Sequence, residues 1–249
     1  MTKQLSLETR YYCRWPFDVP RGLQVEAQNL DVDKTAFLLI DAYGQGYDDP
    51  HGDAPEYPSL FFEEMFYKER DIIRNRIRPC LDAARRVGLK IVYTTNHWSP
   101  MNWDASEFGQ MCYRTETGWS GTLEETIGGD SEYVAWSDII RPSAQDPVIN
   151  KTMYDAFFET NMDTLLRNQG IKNLICVGFT ADICLLNTVI SAMYRNYRVV
   201  VLRDCTLAAE FEDTIDEMRM TWFATRYIEA MVGFTATSDQ FLAACRVLS

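Results

Sequence analysis

Short, mainly apolar runs separated by amphipathic stretches constrain this fold more than any other feature. Ala36-Phe37-Leu38-Leu39-Ile40 is one such run, and it ends at Asp41. A strand with no polar alternation needs cover on both faces. Residues 68–87 follow with Ile72, Ile73, Ile77, Leu81 and Ala84 at helical spacing, closed by Gly88. Pro79 lies inside that stretch and predicts a kink or a displaced start. Leu89 to Thr94 reads as a second strand and Pro147-Val148-Ile149-Asn150 as a short third. Thr160-x-x-Asp163 is similar to a capping box and predicts a helix that Gly170 ends. Leu174 to Val177 is a fourth strand, and a helix follows from Cys184 with Leu185, Thr188, Val189, Ala192 and Met193 on one face. Val199 to Leu202 gives a fifth strand, 210–230 a helix, 231–234 a last strand, and Ser238 starts a final helix.

Strands alternating with helices predict an α/β fold, one mainly parallel sheet covered on both faces. No linker rich in Gly, Pro or Ser divides the chain. The expectation is therefore a single domain over residues 35–249, preceded by an arm over residues 1–34 whose Tyr11, Tyr12, Trp15 and Phe17 need burial. The segment 99–145 holds Trp103, Trp119 and Trp136 with little periodicity, which suits a lid or an interface segment.

A net charge of −12 argues against nucleic acid, because the chain lacks the cation excess that displaces counterions. It argues equally against acidic membrane surfaces and leaves a small molecule or a protein as the partner. The seven cysteines are scattered, with no CxxC pair and no zinc-type cluster, so reduced thiols are expected. The first twenty residues have no apolar signal core, and no run approaches the roughly 18 apolar residues of a membrane span. A cytoplasmic setting is the expectation.

Ligands of open α/β sheets bind beyond the carboxyl ends of the strands. Asp41, residues 95–98, Asn150-Lys151, residues 179–184 and Arg203-Asp204 occupy those positions. Cys184 opens a helix, where partial positive charge and free N–H groups favour thiolate and can receive an oxyanion. That position predicts a lowered thiol pKa. Equally, a lone cysteine there is often just a small core residue. Lys151 at a strand end would be partly desolvated, and Asp41 there needs a partner. Together the three supply what amide cleavage by a thiol requires. Cys184 attacks the carbonyl, Asp41 moves the proton from thiol to leaving nitrogen, and Lys151 balances the negative charge.

Asp41, the run Lys151-Thr152-x-Tyr154-Asp155-Ala156-Phe157, and Gly178-Phe179-Thr180-Ala181-Asp182-Ile183-Cys184 followed by Thr188 resemble the isochorismatase-like cysteine hydrolase superfamily. The resemblance covers roughly residues 35–235. Within it, the KTxYDAF run and the later GIKNL segment look most like ureidoacrylate amidohydrolases and related carbamoyl-amide hydrolases. The resemblance implies an Asp41–Lys151–Cys184 triad and a cis Phe179–Thr180 peptide. It also implies an oxyanion hole from the N–H groups of Thr180 and Cys184. The implied fold is a three-layer, Rossmann-like sandwich around a six-stranded, mostly parallel sheet, commonly assembled as dimers or tetramers. The implied activity is hydrolysis of a small linear ureido or carbamoyl amide through a thioester, without a cofactor. A simple carboxamide of maleamate or nicotinamide type is the alternative substrate, and a non-catalytic binding protein the alternative class.

Three departures stand out. Tyr43 occupies a position where the family often has Gln, and Ala181 one where it usually has Thr. His97-Trp98-Ser99-Pro100 replaces the Asp-Trp-His-Pro of the metal-binding branch, so no metal is expected; Asp49-Pro50-His51 reads as a chance match. Substrate contacts are expected from Asn96, His97, Trp98, Tyr154 and Phe157. Arg114 is a further candidate, as a clamp for a carboxylate.

Overall fold

A computed structural model describes residues 3–44, 46–55, 62–97, 106–115 and 134–248. Strands β1 (Gln4–Cys13) and β2 (Gly22–Asp31) come first, then β3 (Thr35–Ile40). Helix α1 (Glu63–Ile72) runs through a π-helical turn (Ile73–Ile77) into α2 (Arg78–Val87) and then β4 (Lys90–Asn96). After α3 (Glu107–Thr115) come β5 (Val148–Lys151), α4 (Met162–Asn168), β6 (Asn173–Gly178), α5 (Cys184–Tyr194) and β7 (Arg198–Leu202). A 3₁₀ turn (Ile215–Glu217), α6 (Arg219–Tyr227), a second π-helical turn (Ile228–Val232), β8 (Phe234–Ala236) and α7 (Ser238–Leu248) complete the order.

The sheet has eight strands in the order β2-β1-β8-β7-β6-β3-β4-β5. From β8 to β5 the six neighbours are all parallel. The expected six-stranded count is thus too low by two. The two further strands come from residues 1–34, where an arm is expected: β1 and β2 pair antiparallel along their whole length, and Arg10 pairs with Thr235 of β8. Leu5, Leu7 and Leu30 are fully buried, so this hairpin buries apolar side chains in the main core rather than lying over it.

Alternate residues of the central strands feed two cores. Phe37, Leu39, Ile175, Val177, Val200 and Leu202 pack against α1, α2 and α7. Ala36, Leu38, Ile40, Leu174, Cys176, Val199 and Val201 pack against α4 and α5. Burial on both faces is why these strands read as continuous apolar runs.

Local signals were met with adjustments. Pro79 sits in the first turn of α2, directly after the π-helical turn, where the regular i→i−4 ladder is already interrupted and the helix continues without a break. Gly88 ends α2 with φ 94°, a left-handed cap. The Thr160–Asp163 capping box does not form: α4 starts one residue later than that pattern needs, with Asn161 before it. Thr160 accepts the Met162 N–H, while Asp163 pairs with Arg167 and Tyr197. The 210–230 helix begins only at Arg219, because Glu210 spends its carboxylate accepting the N–H groups of Met220 and Thr221 at that helix start. Among the described residues, no helix is long and apolar enough to cross a membrane.

Candidate active site

The order of strand addition reverses between the parallel neighbours β3 and β6: β4 and β5 extend one way from β3, while β6, β7 and β8 extend the other. Such a switch point opens a crevice at the carboxyl ends of the strands. Parallel register brings the functional positions level there, with Ile40 opposite both Thr94 and Gly178, and Asn96 opposite Lys151.

Asp41 follows β3 with φ 46°, in the left-handed region that few residues other than Gly occupy. Its N–H donates to the Thr94 carbonyl at 3.3 Å, and Oδ1 accepts the Thr94 hydroxyl at 2.9 Å. Oδ2 lies 2.6 Å from Lys151 Nζ. Lys151 is completely buried at the end of β5, so its ammonium must be surrounded by acceptors. They are Asp41, the Asn96 Oδ1, the Met153 carbonyl at 3.2 Å and Cys184 Sγ at 3.4 Å. Burial pulls the ammonium pKa down, but Asp41 and the Cys184 sulfur together outweigh it and hold Lys151 above its ordinary value.

The structure therefore brings Asp41, Lys151 and Cys184 together around one charge. It corrects one expectation about Cys184. Although it is the first residue of the eleven-residue α5, its thiol is pushed up to about 12 rather than lowered. Burial is the largest influence and the Asp41 carboxylate adds to it, against a smaller opposing pull from Lys151. Desolvation of an anion outweighs the helix terminus here.

The turn into α5 is built around glycine and a cis peptide. Gly178 has φ 112°, and a Cβ there would lie inside the Ile40 carbonyl. The Phe179–Thr180 bond is cis, as the resemblance implies. Phe179 N–H donates to Ile40, Ala181 N–H to Leu207, and both Ile183 and Leu185 N–H to Thr180. Among the described residues, nothing accepts the N–H groups of Thr180 or Cys184. The loop after β5 is fastened to α5: Ala156 N–H donates to Thr188 Oγ1 at 3.1 Å, and Ser191 Oγ to Asp155 Oδ2 at 2.5 Å.

The expected substrate contacts divide. Asn96 is in the site but turned to Lys151, with its Nδ2 donating to the Tyr43 hydroxyl, so it braces the Lys151 ammonium. His97 is exposed, and its backbone N–H donates to the Lys151 carbonyl. Tyr154 is 42% exposed with its ring edge-on to Phe108 of α3, at 4.9 Å between centroids. Phe157 is no pocket wall: it is 4% exposed and packs in the core beneath the sheet beside Tyr197, because the Asp155 turn points it inward. Arg114 lies exposed on α3. Trp98 lies outside the described residues. The Asp49–His51 pair is a local turn, His51 N–H donating to Asp49 at 2.8 Å. Among the described residues, no group of three His, Cys, Asp or Glu could hold a metal ion.

Thr94, the Met153 carbonyl and the Asp155–Ser191 latch went unanticipated. Thr94 had a signal, a polar residue ending an apolar run next to the strand of Asp41. Ser191 had one too, seven residues after Cys184 and so on the same helical face. A main-chain carbonyl leaves none.

The isochorismatase domain matches residues 65–230. The chain belongs to the isochorismatase family. That match contains Lys151 and Cys184 and begins after Asp41, so the third member of the cluster is assigned by geometry. A ureidoacrylate amidohydrolase of Agrobacterium fabrum is 34% identical over 188 residues, covering 70% of this chain and 75% of its own. The corresponding Rhizobium rhizogenes protein is 30% identical over 177 residues, 67% of this chain and 68% of its own. Among solved structures, a cysteine hydrolase from Pseudomonas syringae pv. phaseolicola shares the fold with a TM-score of 0.68 at 20% identity, covering 88% of this chain and 96% of its own. N-carbamoylsarcosine amidase from Thermoplasma acidophilum gives a TM-score of 0.57 at 27% identity, with 83% and 97% covered.

Proposed function

We propose that this chain is a hydrolase of carbon–nitrogen bonds other than peptide bonds, an amidohydrolase that cleaves a small linear ureido or carbamoyl amide through a thioester on Cys184. One observation carries the mechanism: a fully buried Lys151 ammonium lies 2.6 Å from the Asp41 carboxylate and 3.4 Å from the Cys184 sulfur. The ureidoacrylate amidohydrolase relatives and the carbamoylsarcosine amidase neighbour support the substrate class.

The proton inventory sets the order of events. Burial pushes the Cys184 thiol up and disfavours a free thiolate, which favours an internal base over solvent. Asp41 takes the thiol proton as sulfur attacks the carbonyl carbon; the pair changes form without changing total charge. The carbonyl oxygen becomes an oxyanion facing the unused N–H groups of Thr180 and Cys184. Protonated Asp41 then delivers its proton to the leaving nitrogen, the C–N bond breaks, and a thioester remains. Water adds to the thioester, Asp41 receives the water proton, and that proton returns to sulfur as the acid leaves. Lys151 stays protonated throughout and balances carboxylate, thiolate and oxyanion in turn.

Cys184→Ala should lower turnover by about 10⁴-fold or more while the far-UV circular dichroism stays as in wild type. Ammonia release from ureidoacrylate, biuret, carbamoyl amino acids and simple carboxamides identifies the substrate class. A ureido or carbamoyl compound should lead. Turnover that survives the Cys184 substitution overturns the mechanism, and cleavage of carboxamides alone overturns the substrate class.

A further inference from the structure

Tyr43 holds a hydrogen-bonding position that the catalytic steps leave unused. Its hydroxyl accepts the Asn96 Nδ2 proton, and Asn96 Oδ1 in turn accepts from Lys151 Nζ. The direction of this chain is forced. An ammonium can only donate, so Asn96 must turn its oxygen to Lys151 and its NH₂ to Tyr43. The Tyr43 oxygen is thereby an acceptor, and its own O–H proton must be given elsewhere. Among the described residues no group accepts it, although Asp41 and Cys184 are near enough for their charges to act on the phenol.

The loop that carries Tyr43 is held from several sides. Gly44 N–H donates to the Ala135 carbonyl at 3.0 Å, and the Tyr43 ring meets Trp136 edge-on at 6.1 Å. Ser137 donates to the Asp48 carboxylate at 2.6 Å, and Arg74 donates to the carbonyls of Tyr47 and Asp48 at 3.0 and 2.8 Å. Gly44 has φ 137° and would drive any Cβ into the Tyr47 ring, so the backbone there has little room to move. A donor fixed in this way is already ordered before ligand binds. Burial, then the charges of Asp41 and Cys184, raise the phenol well above its ordinary value and keep its proton in place. A donor at the end of a chain that starts at an ammonium is also strengthened by polarisation.

We infer that Tyr43 is the substrate-recognising donor of this site, giving its hydroxyl proton to a carbonyl or carboxylate oxygen of the amide substrate. This rests on the amidohydrolase reading above. It makes the tyrosine a determinant of specificity. A phenol has a single proton to give here, so it selects an oxygen acceptor and leaves an amino donor unmatched.

Tyr43→Phe removes the hydroxyl and keeps the ring against Trp136. The variant should lose about 10-fold in kcat/KM for ureidoacrylate. In parallel, labelling of Cys184 by iodoacetamide and iodoacetate, which carry acceptor oxygens, should slow by a similar factor. Labelling by iodoethane, which carries none, should keep its wild-type rate and pH profile. A greater loss with iodoacetate than with iodoacetamide assigns the carboxylate; equal losses assign the carbonyl. If all three reagents slow together, or the pH profile moves, Tyr43 works through Asn96 and Lys151 as a positioning residue and the inference fails. Unchanged rates throughout also overturn it. Should wild type leave ureidoacrylate intact, that counts against the proposed substrate, and the labelling series still decides the role of Tyr43.

Discussion

Lys151 takes a full charge into a site with no exposure, and the Asp41 carboxylate beside it is only 6% exposed. Removing one partner of such a pair leaves the other buried and uncompensated. Lys151→Met should therefore cost about 3–5 kcal/mol in urea-unfolding free energy, and adding Asp41→Asn should cost much less than the sum of the single changes. Strictly additive losses would show that the pair is not coupled. The clustering of Asp41, Lys151 and Cys184 was legible because strand ends are where α/β sheets place chemistry: Asp41 follows β3, Lys151 ends β5, and Cys184 opens the helix after β6. The ionisation of Cys184 was not. A helix terminus can be read from sequence, but the desolvation that overrides it depends on what packs over the sulfur. Asn96 was legible as a site residue and not in its role, since only the position of Lys151 fixes which way its amide turns.

The β6–α5 connection is the element on which the candidate site depends, because it sets both Cys184, the proposed nucleophile, and the N–H groups of Thr180 and Cys184, which nothing accepts among the described residues. Gly178 lets this turn pass against β3: its N–H donates to Cys205 at 3.0 Å, the next N–H to Ile40 at 2.7 Å, and no space remains for a side chain. Gly178→Ala combines positive φ with a collision between two main chains. It should cost about 3 kcal/mol or more and displace Cys184 enough to suppress turnover. Thermal unfolding of the variant beside wild type tests this, and a near-wild-type Tm would mean that the turn has another way through. The parallel strands could be read because burial on both faces leaves an apolar run too short for a helix. The β1–β2 hairpin is less legible than the parallel strands. Its buried Leu5 and Leu7 alternate with exposed residues, a period-two signal, but Arg10 to Cys13 are all half-buried and break the alternation. Its neighbour in the sheet, β8, is more than two hundred residues away in sequence, a distance no local pattern bridges.

At the scale of the whole molecule, burial acts on many thiols in the same direction. Cys176 and Cys205 are raised by desolvation, and Cys184 and Cys245 are pushed up to about 12, each from an ordinary value of 9.0. Once unfolded, all four would release protons as the pH passes 9.0, while the folded chain retains them. Between that pH and the folded values the unfolded state binds fewer protons than the native one, so stability must fall as pH rises. Each fully shifted thiol contributes a slope of up to about 1.4 kcal/mol per pH unit. The contribution of these groups is complete below pH 9.0 and is lost on the way up to about 12. The net charge of −12 becomes more negative over the same range and adds self-repulsion. Thermal unfolding in reductant should therefore give a Tm that is nearly level from neutrality to about pH 8.5 and declines steeply above it. Cys176→Ala should flatten that decline by one thiol's share even though it lowers stability at neutral pH, because the loss of packing is independent of pH and the slope is not. A variant whose alkaline slope matches wild type would show that Cys176 gives up its proton as readily in the folded chain as in the unfolded one.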